Sequence, residues 1–105
     1  MNFEKGTGVG SIVQKFTGMA GDATDEMTNT NTGNYSAVFG HNNTNSNEGA
    51  LVAGYYNAGE TDALLEIGNG TSEKPNNAFT VFKDGHAEVQ TQASSDNSIV
   101  IYSYL

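Results

Sequence analysis

The chain has 105 residues, one domain at most, and Leu, Ile, Val and Phe together number only 20, about 19% of it. With a formal charge of −8 the composition sits at the edge of the disordered class, so a conventional globular core in an isolated monomer is not expected. The absence of Cys excludes disulfide scaffolds and thiolate metal sites, and four Lys with no Arg supply no cationic stripe for nucleic acid or an anionic membrane surface.

Residues 1–32 read as an N-terminal lead-in or connector. Met1-Asn-Phe-Glu-Lys5 is not followed by an apolar signal-peptide core, and no run approaches the ~18 apolar residues of a membrane helix, so neither a signal peptide nor a span is expected. Gly6-Thr-Gly-Val-Gly10 lacks the lysine–hydroxyl pair and following helix of a phosphate loop and reads as a turn or linker. Ser11 to Phe16 suggests one strand with Ile12 and Phe16 on a common face, and Asp22 to Thr32 is polar.

Residues 33–82 carry a repeat. Gly40, Gly54 and Gly68 are 14 apart, preceded by Ser36-Ala-Val-Phe, Ala50-Leu-Val-Ala and Leu64-Leu-Glu-Ile, and Ala78-Phe-Thr-Val-Phe82 continues the register without its glycine. Two apolar columns result. One is Ala37, Leu51, Leu65 and Phe79; the other is Phe39, Ala53, Ile67 and Val81. Side chains two apart share one face of a strand, so both columns are expected to face inward as the core of the repeat, with the glycines in turns. The polar stretches Asn42–Glu48, Tyr56–Asp62 and Gly70–Asn76 read as the second leg of each unit. A period of 14 is too short for helical repeats and suits two strands of about five residues and two turns of about two. The expected fold is an all-β parallel β-roll or solenoid of 14-residue rungs.

Residues 83–105 read as a C-terminal hairpin and strand. Lys83-Asp-Gly85 is a hairpin turn between Ala78–Phe82 and His86–Gln90, Ser94–Ser98 is a further turn, and Ile99–Tyr102 is a last apolar strand. No helical period of useful length occurs. A short stack buries one narrow seam and leaves two open ends, which implies oligomerisation. Val38 and Val52, two before the glycine, are expected to point away from the roll interior and to contact a neighbouring chain. Three-fold assembly is the expectation, although periodicity does not set the number.

Gly33-Asn-Tyr-Ser-Ala-Val-Phe-Gly40 and its successors resemble the head repeat of trimeric autotransporter adhesins, a left-handed parallel β-roll that also occurs in tail-fibre and baseplate proteins of phages and prophages. Leu65 to Gly85, with its Ile-Gly-Asn-Gly-Thr, Asn-Ala-Phe-Thr-Val and Asp-Gly passages, looks like the exit from such a roll into a hairpin in phage tail fibres. Glu66 and Thr80 depart from the family, where that position is small and neutral. The resemblance implies an intertwined homotrimer without cofactor, a structural and binding part of a tail fibre or baseplate that attaches to a cell-surface glycan or protein. Its expected partners are other tail proteins, its location the virion after synthesis in the host cytoplasm. A head fragment of a bacterial surface adhesin is the alternative, and a glycan-degrading tail spike a more distant one.

Catalytic and metal sites are not expected. His41 and His86 lie in no metal-ligand spacing and read as turn or surface histidines, unless a three-fold axis passes close to one of them. Glu60 with Asp62, and Asp22, Asp25 and Glu26, offer carboxylates but no sign of a cleft, and read as solvated charge, with a weak surface Ca²⁺ site as the alternative. Three Asn-x-Ser/Thr triplets are discounted in a chain so rich in Asn and Thr. Tyr102 and Tyr104 read as interface residues after Ile-Val-Ile. Tyr55 and Tyr56, with Asn57, form the candidate receptor-contact surface, since flat apolar rings beside hydrogen-bonding groups suit sugars or a protein; packing of the two rings at a chain interface is the equal alternative.

Overall fold

A computed structural model describes residues 2–15 and 28–90. Phe16, the carboxylates Asp22, Asp25 and Glu26, the Ser94–Ser98 turn, the Ile99–Tyr102 strand and Tyr104 lie outside the described residues. The elements are β1 (Asn2–Lys5), β2 (Ile12–Lys15), β3 (Thr30–Asn31), β4 (Ala37–Val38), β5 (Thr44–Asn45), β6 (Leu51–Tyr55), β7 (Ala63–Asn69), β8 (Asn77–Phe82) and β9 (Ala87–Val89), with no helix among the described residues. Seven strands form a mixed sheet in the order β1-β2-β4-β6-β7-β8-β9, and β3 pairs with β5 in a second sheet.

The 14-residue step governs both sheets. In the larger one Ala37 lies beside Leu51 and Leu51 beside Leu65, Val38 beside Val52 and Val52 beside Glu66, all in parallel strands. In the smaller one Thr30 lies beside Thr44 and Asn31 beside Asn45. The units that contain β2 and β4 therefore each give a second strand, β3 and β5, to the smaller sheet. The N-terminal segment joins the same register, contrary to its expected role as a separate lead-in. Ile12 pairs with Ala37 and Val13 with Val38 in parallel, a separation of 25 residues, which is one 14-residue unit plus 11. That insertion hides the unit from a search for a fixed period.

The inside and outside of the larger sheet are the reverse of the expectation. Val38 and Val52 are 0% exposed and form, with Val13, the buried apolar cluster, so they are core and not a contact for a neighbouring chain. The two columns assigned to the core face outward: Leu51 is 43% exposed, and Ala37, Phe39, Ala53, Leu65, Ile67, Phe79 and Val81 are half-buried. The cause is the polar lining opposite the valines. Asn29, Asn43 and Asn57, one per unit, turn inward from the second leg. The Asn43 side chain donates to the carbonyls of Phe39 (2.6 Å) and Gly54 (2.8 Å), and that of Asn29 donates to those of Gln14 (3.1 Å) and Gly40 (2.8 Å). The backbone N–H of Asn43 donates to Asn29 Oδ1 (2.9 Å), and that of Asn57 to Asn43 Oδ1 (3.1 Å). Tightly turned legs carry backbone groups that the two short ladders cannot pair, and each amide side chain supplies both donor and acceptor. These amides, the buried Asn31 and Asn45 and a single column of valine line the interior of the stack.

The parallel run ends at β7. The Gly70–Asn76 connection folds back, so that β8 lies antiparallel to β7 with Phe79 beside Ile67 and Val81 beside Leu65. The expected columns are thus exchanged at this step, because the strand direction reverses. Thr80 and Glu66, at the position that valine fills in the preceding units, sit beside each other on the inner face. Beyond β8, Asp84-Gly85 makes the expected hairpin to β9, with Gly85 at φ 93°.

Candidate contact surface at the turns

Two consecutive turns follow β4 and end β6, and their backbones match. Gly40 and Gly54 are left-handed (φ 86° and 87°), and so are the residues two further on, Asn42 (φ 56°) and Tyr56 (φ 47°). Glycine is required at the first position twice over. It supplies the dihedral, and a Cβ on Gly40 would fall onto the Gly54 carbonyl oxygen, one on Gly54 onto that of Gly68. Gly68 is not left-handed. It lies inside β7, where a Cβ would stand 2.6 Å from the Tyr55 carbonyl oxygen and 2.8 Å from the Asn57 backbone.

This geometry places one side chain directly after each glycine in a common outward column. His41 and Tyr55 form an isolated parallel bridge, and the His41 N–H donates to the Gly54 carbonyl (3.2 Å). Their rings stack at 5.5 Å with planes 9° apart, and the Tyr56 ring meets His41 edge-on at 5.7 Å and 89°. His41 Nδ1 is 2.8 Å from Asn42 Oδ1, which orients the imidazole. The sequence-derived pair Tyr55–Tyr56 is thus brought together, and His41 completes it. Sequence reasoning misses His41 as a member of this group, although the 14-residue step from Tyr55 points to it.

Asn57 does not belong to this surface. It is buried, accepts from the Thr44 N–H (2.8 Å) and donates to the Thr44 carbonyl (2.8 Å) and to Glu66 Oε1 (3.1 Å). Its place three after Gly54 matches that of Asn43 three after Gly40, and both turn inward. The same spacing, applied to Asn instead of to apolar residues, would have located the whole amide column.

The remaining charged candidates disperse. The Glu60 N–H donates to Glu66 Oε1 (3.3 Å), while Asp62, left-handed at φ 63°, pairs with Lys83 at 3.7 Å in the open. His86 stacks on Phe82 at 4.4 Å, with Asp84 at Nδ1 and Glu88 Oε2 3.4 Å from Nε2. The hydrogen bond to Asp84 raises the His86 pKa above its ordinary value. The His86 backbone N–H first, and then its ring, lower that of Asp84. No group of three or more His, Asp or Glu side chains among the described residues is placed to hold a metal ion. A shallow cleft of about 230 Å³ adjoins this hairpin, between Asp62, Phe82 and His86.

No protein-family model, curated protein or solved structure matches the chain. The chain is a small all-β protein with a mixed seven-stranded sheet.

Proposed function

We propose that the chain is a structural and binding module of a phage or prophage tail fibre or baseplate, a trimeric left-handed β-roll that attaches to the bacterial surface through a glycan or protein receptor. The observation that carries this reading is the parallel 14-residue register followed by an antiparallel hairpin, the order of features on which the resemblance rests. The outward columns support assembly. Ile12, Phe39, Leu51, Leu65, Ile67 and Val81 share one face of the larger sheet without a covering layer among the described residues, and an apolar face of this kind suits contact between copies. The intersubunit contact therefore moves from Val38 and Val52 to this face. The Tyr55–Tyr56–His41 corner is the receptor contact, and three copies of a weak site gain avidity through effective concentration.

Sedimentation equilibrium at micromolar concentration tests the assembly, and adsorption of the labelled protein to bacterial cells tests the role. A folded monomer removes the trimer. A trimer that adsorbs to no strain of a broad bacterial panel leaves a spacer in place of an attachment module.

A further inference from the structure

Tyr35 occupies a second strained corner, remote in sequence from the Tyr55–Tyr56 pair. The pairing of Ile12 with Ala37 and of Ala37 with Leu51 sets Gly10, Tyr35 and Gly49 at one position in three successive units. All three are left-handed, with φ 67°, 52° and 71°. Glycine meets that demand at either side, whereas a tyrosine meets it at a steric cost and brings no core packing in return, since Tyr35 is 66% exposed. Strain kept at an exposed side chain points to a use for that side chain.

The surroundings of the ring indicate which use. A Cβ built on Gly10 would stand 2.9 Å from Tyr35 Cδ1 and 3.3 Å from Cε1, so the ring lies across a backbone that only glycine leaves flat enough to receive it. The Tyr35 N–H donates to the Val9 carbonyl (2.7 Å), and Asn34 Oδ1 accepts from the Val9 N–H (2.9 Å), which ties the two strips of chain together beneath the ring. Asn34 is itself exposed beside the ring, and the exposed Val9 extends the apolar surface.

We propose that Tyr35, seated on Gly10 and flanked by Val9 and Asn34, is a platform for the apolar face of a pyranose sugar. The C–H groups of one sugar face pack on the π-surface, and the amide donates to a ring hydroxyl. One tyrosine and one valine are too little apolar area for the core of a protein interface, but they match a single sugar ring. The site is distinct from the Tyr55–Tyr56 corner and rests on the attachment reading only for its biological setting.

Saturation-transfer NMR on the intact chain tests it, with methyl glycosides of galactose, N-acetylglucosamine and rhamnose as millimolar probes. The expected result is transfer to the C–H protons of one face of at least one probe. Tyr35→Asn, which retains a residue suited to the left-handed corner, should weaken binding at least about tenfold, while Tyr35→Phe retains most of it. Absence of transfer from all three probes, or transfer unchanged in Tyr35→Asn, overturns the proposal. If a Tyr55→Ala/Tyr56→Asn variant loses the transfer and Tyr35→Asn keeps it, the attachment reading stands and the Tyr35 platform falls. A drop in assembly mass caused by Tyr35→Asn would make the ring a contact between copies, and the platform falls in that case as well.

Discussion

Glu66 stands at the inner position that valine fills in the preceding units, and it is 1% exposed. Its Oε1 accepts from Asn57 Nδ2 (3.1 Å), Asn77 Nδ2 (2.7 Å) and the N–H groups of Gly59 (2.8 Å) and Glu60 (3.3 Å). The carboxylate gathers these donors at the point where the parallel run stops. Replacement by the valine of its own column should therefore destabilise, although hydropathy argues the opposite. Glu66→Val orphans buried donors worth about 1–3 kcal/mol each, whereas Glu66→Gln keeps an acceptor at Oε1 and should lose much less. Urea denaturation gives the order, and equal stability of the Glu66→Val and Glu66→Gln variants would show that the donors find other partners. The glycines make a second contrast. At Gly49 a Cβ meets nothing within 4 Å, so Gly49→Ala bears the left-handed penalty alone, about 1–2 kcal/mol. Gly54→Ala adds a collision with the next turn and should cost clearly more, as a lower denaturation midpoint. The sequence marks Gly54 through its spacing. It marks Glu66 only as a departure from the repeat and not as a buried acceptor, because a charged residue among apolar ones reads as a surface position unless the donors that converge on it are counted.

At the level of strands, the period and the hairpin are legible, and the phase is not. Period is a property of spacing, and Gly40, Gly54 and Gly68 display it. Phase requires knowing which alternate residues face inward, and here both sets are apolar: Ala37 and Phe39 on one face, Val38 on the other. Counting favours the face with two columns. The space between the sheets admits one column, because amide side chains take up the rest, and amides are invisible to a hydrophobic pattern. The Asp84-Gly85 hairpin is legible because its signal is local. It also carries a pH dependence. The raised pKa of His86 means that its pairing with Asp84 contributes fully below the unfolded value of 6.5 and is lost as pH rises through the folded value. The lowered pKa of Asp84 contributes above 3.8 and is lost as pH falls through its folded value. The hairpin end is accordingly tightest between about pH 4 and 6.5. The His86 ring protons should titrate above 6.5, with the midpoint moving down in Asp84→Asn. Protection of the Phe82 and Gly85 amides, whose acceptors are His86 and Phe82, should fall from about pH 6 to pH 8 in the native chain and not in His86→Ala. A native ring that titrates at or below 6.5 would mean that the pairing is absent in solution.

For the molecule as a whole, the reversal of phase changes what each apolar residue is for. Val13, Val38 and Val52, with the small Ala50 and Ala63, are a very small core for a chain with nine strands among its described residues, while a larger set of apolar side chains lies on the outer face of the same sheet. Three buried valines remove little apolar surface from water against the conformational entropy of ordering the chain. The outer face is where the missing stabilisation is available, provided that copies of the chain cover one another. Two neighbouring residues of β6 separate these contributions. Val52→Ala removes core and should cost about 2 kcal/mol in any state of assembly, which lowers the melting temperature without altering the mass of the folded species. Leu51→Glu leaves the core intact but places a charge on the outer face of every copy, where like charges would meet across the contact. It should reduce the mass measured by light scattering and make the melting temperature steeply dependent on concentration. If Leu51→Glu leaves both mass and melting unchanged, the outer face is solvent-exposed in the native protein, and its apolar columns require another occupant.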